Sequence, residues 1–521
     1  MMLKIVLPVI LFIFMITGLS RYLLITPRKD LVNVSTKASS KPVVVFVIDS
    51  LMDQPLQKAI KEGKAPAFEF LIKHGQYYSD VVSSYPTMSV TIDSTLLTGT
   101  YANDHKVPGL VWLKKDENRV INYGPGKIEF LDIGAKQILA DSLIHLNKAH
   151  LSRYVPTIHE ELARSEIQSA SINGLIYRGN QVHRLHIPKL FTGMNLLPRN
   201  VEVNGPSLLS IGSLTQYNQE NDWSNHIWKG TGVNDYFTAN ELKYFIQKNQ
   251  LPPFTLAYFP DLDRDIHKNG PMEQKGIEEV DKQLQMILNA YPSWEEAIQK
   301  MTWIVHGDSA QSAVINDRSK ALIDLTILLD QYTLWTPDQP SNKEIALAVN
   351  ERMAYVYLQD ETIKISDISA RLKADSRIGF IAWKKGETGY VVSSKSDTPF
   401  TFSPDGPYTD SYGQSWTLNG DPVLLDLSIN EQNEISYGDY PDALARLDGA
   451  LRSHEGRYII IDAKPGYEFV EKNSPNHAGT AAHGSLHKAD SVVPLIIAGT
   501  DQAPKHLRLV DFKDWLIKLA K

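Results

Sequence analysis

The sequence predicts an α/β protein with a mostly parallel central sheet covered by helices on both faces. Two patterns predict it. Short, nearly continuous apolar runs recur along the chain, as strands buried on both faces require. Helix-like stretches lie between them, which is the alternation of a parallel sheet with crossover helices.

The elements follow in order. After Lys4, the run IVLPVILFIFMITGL from Ile5 to Leu19 gives about 15 apolar residues, short for a span but right for a signal segment. No small-residue A-x-A cleavage site lies nearby, and YLLI after Arg21 lengthens the run, so residues 1–29 read as an uncleaved membrane anchor, with a cleaved signal as the alternative. The folded body that follows is then expected outside the cytoplasm, either anchored or secreted. Residues 30–41, DLVNVSTKASSK, are polar and serine-rich and read as a linker. Strand-like runs follow at VVVFVID (43–49), SASINGLIY (169–177), FTLAYF (254–259), TWIV (302–305), YIIID (458–462) and VVPLIIAG (492–499). Helix-like stretches include APAFEFLIKHG (65–75), VPTIHEELARS (155–165) and KGIEEVDKQLQMILNAY (275–291). Within 320–450 the texture changes to strand-like pieces separated by Gly, Pro, Asp and Asn turns, MAYVYL, IGFIAW and GYVVSS among them. Residues 345–400 are therefore expected to form a small α+β cap inserted into a core of 42–344 and 401–521. The C-terminal LRLVDFKDWLIKLAK has helical spacing and reads as a helix closing the core.

Composition narrows the chemistry. The 521 residues include no cysteine, which excludes disulfides, thiolate ligands, a cysteine nucleophile and a lipoprotein anchor. Any bound metal uses oxygen and nitrogen donors. A net charge of −7 with no basic stripe argues against a nucleic-acid-binding role.

In parallel sheets ligands collect at the carboxyl ends of the strands, which points to Asp49, to Asp261 or Asp263, and to Asp308. Ser89 falls where a helix through VTIDSTLL begins. A serine there is a helix cap or a nucleophile favoured by the positive end of the helix dipole, and spacing alone leaves both open. Asp263 and His267 in LDRDIHKNGP are four apart, so one helical turn can bring both to a single cation. His483 and Gly484 lie in a loop before a buried strand, with His477 and His487 beside them read as surface loop histidines.

The ordered set VFVIDS, YPTMSVTIDSTLLTG, LDRDIHKNGP, HGDSAQ and AAHGSL resembles the alkaline phosphatase superfamily, in particular its type I phosphodiesterase/nucleotide pyrophosphatase branch. The resemblance implies an alkaline phosphatase-like core and two divalent cations, with zinc expected and manganese or magnesium alternatives at the oxygen-rich site. It implies Asp263, His267 and His483 on one metal and Asp49, Ser89 and Asp308 on the other. Ser89, three residues after Pro86, matches the nucleophile that forms a phospho-enzyme intermediate, and the implied partner is a phosphate-ester substrate.

Two positions depart from the pattern. Ile92 stands where the branch has an asparagine contacting the phosphoryl oxygen, and Ser309 stands where it has a metal-binding histidine after the aspartate. His306 is the nearby candidate to replace that nitrogen ligand, against a supporting role behind the site. The alternatives to a hydrolase are a catalytically decayed, membrane-tethered binding protein and a phosphoryl or phosphoglycerol transferase of the same superfamily.

Overall fold

The computed structural model describes residues 29–31, 41–124, 134–223, 232–335, 343–394, 396–472 and 474–521. The expected anchor, apart from Lys29, and most of the expected linker lie outside these residues. Among the described residues no helix is long and apolar enough to cross a membrane.

Two sheets organise the chain. The first has seven strands in the order 75–82, 492–498, 302–307, 43–48, 254–259, 169–172 and 208–210. The last five run parallel to one another, while Val492–Ala498 is antiparallel to both of its neighbours. The α/β expectation therefore holds, with a sheet that is mixed at one edge. All residues of Val43–Ile48, Phe254–Phe259 and Thr302–Gly307 are buried, which requires cover on both faces. One group of helices, Asp53–Lys61, Pro66–Lys73, Asp235–Gln247 and Lys275–Leu288, packs together, and a second group of Ser89–Thr98, Ile158–Arg164 and Phe512–Ala520 does likewise. The C-terminal helix buries Phe512, Trp515, Leu516 and Leu519 and so closes the core, as its spacing predicts.

The second sheet has nine strands and runs from Ile345–Asn350 to Tyr458–Ala463. It departs from the sequence expectation in two ways. Residue 400 is no boundary, because the strand Ser396–Asp410 crosses it and further strands follow to Glu434–Tyr437. Tyr458–Ala463, read above as a strand of the central sheet, lies here instead, antiparallel between Met353–Leu358 and Ile378–Lys385. The reason for the misreading is physical. A continuous apolar run reports burial on both faces, and this strand has it, with Ile460 in one apolar cluster and Ile459 and Ile461 in another.

Register aligns the site. Val43–Ile48 pairs residue for residue with Phe254–Phe259 on one side and Thr302–Gly307 on the other. Ile48, Phe259 and Gly307 therefore end level, and the chain leaves all three strands at one edge, where Asp49, Asp261 and Asp308 follow within two residues.

Candidate active site

Asp49, Asp263 and Asp308 converge at that edge. Asp49 sits directly after its strand, with its Oδ2 accepting a hydrogen bond from the buried Tyr258 hydroxyl. Its Oδ1 accepts from the Ser89 hydroxyl at 3.3 Å. Burial, followed by the charges of Asp308 and Asp263, pushes the Asp49 carboxyl well above its usual range. Asp308 Oδ1 accepts from the backbone N–H groups of Ser50 at 2.9 Å and Ser309 at 2.6 Å. Its Oδ2 is buried and has no hydrogen-bond partner among the described residues.

Ser89 opens the helix Ser89–Thr98 after the cap residue Met88, and no side chain caps that end. Ser89 therefore does not act as the helix cap, and its hydroxyl is turned toward Asp49. Ile92, on the same helix, is fully buried in the core and offers nothing to the site.

Asp263 and His267 lie on the helix Asp261–Asn269, which starts two residues after the strand Phe254–Phe259. The four-residue spacing brings Asp263 Oδ1 to 3.3 Å from His267 Nε2. His483 reaches the same carboxylate from the far end of the chain, its Nε2 3.7 Å from Asp263 Oδ1. Both imidazoles are oriented through the other ring nitrogen, His267 Nδ1 to the carbonyl of Ala481 at 2.9 Å and His483 Nδ1 to that of Thr87. Asp263, His267 and His483 therefore present donor atoms all within 4.8 Å of one another. Burial alone would raise the Asp263 carboxyl, but His267 and His483 pull it below the usual carboxylate range. Burial opposes charge on His267, yet Asp263 and then Glu351 raise it to about 10.

Gly484 makes the last approach possible. It has φ of 112°, and a Cβ there would lie 2.3 Å from the backbone oxygen of Asn350. The histidine loop thus rests directly on the turn between Ile345–Asn350 and Met353–Leu358.

These donors fit divalent cations. Two buried carboxylates, Asp49 and Asp308, face the half-buried Asp263, and among the described residues no lysine or arginine forms an ion pair with any of the three. One set is nitrogen-rich, as zinc favours, and the other is built from oxygens, one of them the unpartnered Asp308 Oδ2.

Several site residues escaped the sequence reading. Ser50 links the two ends, its N–H to Asp308 and its hydroxyl to Asp263 at 2.9 Å. Gln311 Nε2 donates to Asp263 Oδ1 at 2.7 Å and to the Ser50 hydroxyl at 3.0 Å. Glu351 and His477 form a second donor set with His267. His477 is accordingly not a surface loop histidine, since its Nδ1 donates to the buried Glu468 at 2.7 Å. His487 stands elsewhere, capping the short helix Lys488–Ser491. His306 is fully buried, with its ring edge-on to Phe512 at 5.9 Å, in the core rather than among the donors. Ser309, in the place of the expected histidine, has its hydroxyl 3.2 Å from that of Ser50.

Known proteins share this architecture. The structure aligns with murine ectonucleotide pyrophosphatase/phosphodiesterase 5, determined as an inactive form in complex with AMP, at a TM-score of 0.54 and 13% identity over 92% of this chain and 95% of that one. The human counterpart gives 0.54 and 14% identity over the same shares. Phosphonoacetate hydrolase from Sinorhizobium meliloti, bound to phosphonoformate, gives 0.54 and 13% identity over 95% of this chain and 100% of that one. At these identities the likeness concerns the fold alone. No curated protein matches significantly by sequence. The family described as type I phosphodiesterase / nucleotide pyrophosphatase matches residues 43–486 by its sequence profile, most of the chain. The chain therefore belongs to the type I phosphodiesterase/nucleotide pyrophosphatase family, a family of phosphoryl hydrolases.

Proposed function

We propose that this chain hydrolyses phosphate esters, phosphodiesters foremost, through a covalent intermediate on Ser89, with divalent cations held by Asp263, His267 and His483 at one end and by Asp49, Ser89 and Asp308 at the other. The observation that carries the proposal is the Ser89 hydroxyl at the start of a helix, 3.3 Å from Asp49, whose carboxyl stands within the field of Asp308 and Asp263. Bound cations supply charge that lowers the hydroxyl pKa and neutralises phosphate oxygens. The chain's own groups do the rest. Asp49 orients the Ser89 hydroxyl, and the positive end of the helix dipole favours the alkoxide. Ser89 Oγ then bonds to phosphorus as the leaving alkoxide departs with the electron pair of its P–O bond. The proton lost by Ser89 ends on that departing alkoxide. Water then attacks phosphorus, the P–Oγ bond breaks with its electron pair passing to Oγ, one water proton returns to Ser89, and the phosphate or phosphate monoester leaves. The imidazoles of His267 and His483, fixed by backbone carbonyls, hold their end of the site in place during both steps.

The family supports a phosphate-ester substrate, and the structural neighbours' ligands, AMP and phosphonoformate, share with it a phosphorus oxyanion. An extracytoplasmic location, through the N-terminal segment, belongs to the same proposal. The competing reading, a silent binding protein, draws on Ser309, which leaves the oxygen-rich end without a nitrogen donor. Metal content and turnover of a p-nitrophenyl phosphodiester, measured on the wild-type chain and Ser89→Ala, decide between the two. Bound metal with turnover that Ser89→Ala abolishes supports the hydrolase. A chain without metal, or equal rates for both proteins, overturns it.

A further inference from the structure

Glu351 stands in the two-residue turn between Ile345–Asn350 and Met353–Leu358, at the point where the second sheet touches the site. Its φ is 56°, a left-handed conformation in which glycine or asparagine is easier than a glutamate. The turn is pinned on both sides. Asn350 accepts from the N–H groups of Leu110 and Val111, while the fully buried Arg352 is ion-paired to the buried Asp490. The backbone N–H of His483 donates to Glu351 Oε2 at 3.0 Å. The other oxygen, Oε1, lies 3.8 Å from His267 Nε2 and 3.9 Å from His483 Nε2.

Those two separations are too long for hydrogen bonds. They lie within about half an ångström of the spacing of atoms that share a cation, because metal–donor bonds of about 2.1 Å in a tetrahedron set donors roughly 3.4 Å apart. Asp263 Oδ1 shows comparable separations, 3.3 and 3.7 Å, to the same two nitrogens. The same carboxylate also closes a donor set with His267 and His477, whose ring lies 4.3 Å from that of His267. Among the described residues no lysine or arginine is ion-paired with Glu351; its ionisable neighbours are the imidazoles of His267, His477 and His483.

We propose that Glu351 is a fourth protein ligand to the cation held by Asp263, His267 and His483, delivered by the second sheet; a substrate oxygen would enter by expanding that shell. The inference rests on the reading of those three residues as ligands, and the test separates the two. Zinc affinity is measured by competition with a chromophoric chelator, and the visible absorption of the cobalt-substituted chain reports coordination. Full-length wild type, Asp263→Asn, Glu351→Gln and Glu351→Asp are compared, with circular dichroism confirming the fold of each. Glu351→Gln is expected to weaken zinc binding by at least about tenfold and to change the cobalt band, with Glu351→Asp intermediate. Wild-type affinity and an unchanged cobalt band in both Glu351 variants, with binding lost in Asp263→Asn, overturn the role of Glu351 and leave the three-residue site standing. Wild-type binding in Asp263→Asn overturns both. Should Glu351→Gln not fold, Glu351→Asp carries the same two outcomes.

Discussion

Asp49, Ser89 and Asp308 all hang from one sheet and the helix beside it, whereas the nitrogen-rich end is assembled from both sheets. Asp263 and His267 belong to the first sheet's edge, but His483 lies in a loop that the second sheet holds in place. That loop rests on the turn at Asn350–Arg352, bonds to Asp462 through Ser485 and Leu486, and is braced by Asp490 on Arg352. One end is thus local to the fold that carries it. The other is a junction, and its integrity reports whether the two sheets are docked.

The largest expected effect falls where the ends meet the substrate. Ser89→Ala removes the attacking atom and is expected to lower turnover of a phosphodiester by about 10⁴-fold or more. Because among the described residues no hydrogen bond joins Ser89 to Asp263, His267 or His483, zinc affinity at the nitrogen-rich end, measured by chelator competition, should be unchanged. A variant with substantial remaining turnover breaks the assignment of the nucleophile.

A reciprocal pair measures how independent the ends are. Asp308→Asn should weaken one cation, leave the other bound with wild-type affinity, and cut turnover by about 10²-fold or more. Asp263→Asn should do the reverse. Metal counted per chain by mass spectrometry checks both. Ser50 and Gln311 bridge the two ends, so loss of both cations from either variant would mean that this bridge makes them one unit.

Gly484→Ala tests the junction alone. The new Cβ meets the Asn350 carbonyl oxygen and the backbone is held at positive φ, so the loop must shift, at a cost of about 1–3 kcal/mol. Cation affinity should fall at the nitrogen-rich end and stay constant at Asp49 and Asp308. Equal losses at both ends, again read by metal count, would show that the junction supports the whole site.

The asymmetry also explains what could be read in the chain. The strand-end aspartates were legible because register and strand polarity turn three distant apolar runs into one edge. The pair Asp263 and His267 was legible because helix geometry fixes i, i+4 neighbours. Glu351, Ser50 and Gln311 were not, for their roles arise from contacts between segments far apart in sequence. Ser50 and Glu351 share one local trace, a non-glycine residue at positive φ, which is a property of the folded chain and leaves no mark on composition. The placement of Tyr458–Ala463 failed for a related reason. Hydropathy reports that a strand is buried and is silent on which sheet buries it.

The smallest effect concerns Asp462, at the end of that misplaced strand. Its carboxylate accepts from the hydroxyls of Ser485 and Tyr85 and from the N–H of Leu486, yet burial outweighs these bonds and raises it from 3.8 to about 7. A carboxyl raised on folding binds its proton more tightly in the folded chain. Its contribution to stability is therefore greatest below about 3.8, declines as pH rises toward about 7, and is flat above that. Asp462→Asn removes this dependence. The stability of wild type relative to the variant, from urea unfolding of the metal-free chain, should fall between pH 4 and pH 7 by roughly 1–4 kcal/mol. A constant difference across that window would mean that Asp462 is ionised throughout. The second sheet would then hold the histidine loop with a charge rather than with a carboxylic acid.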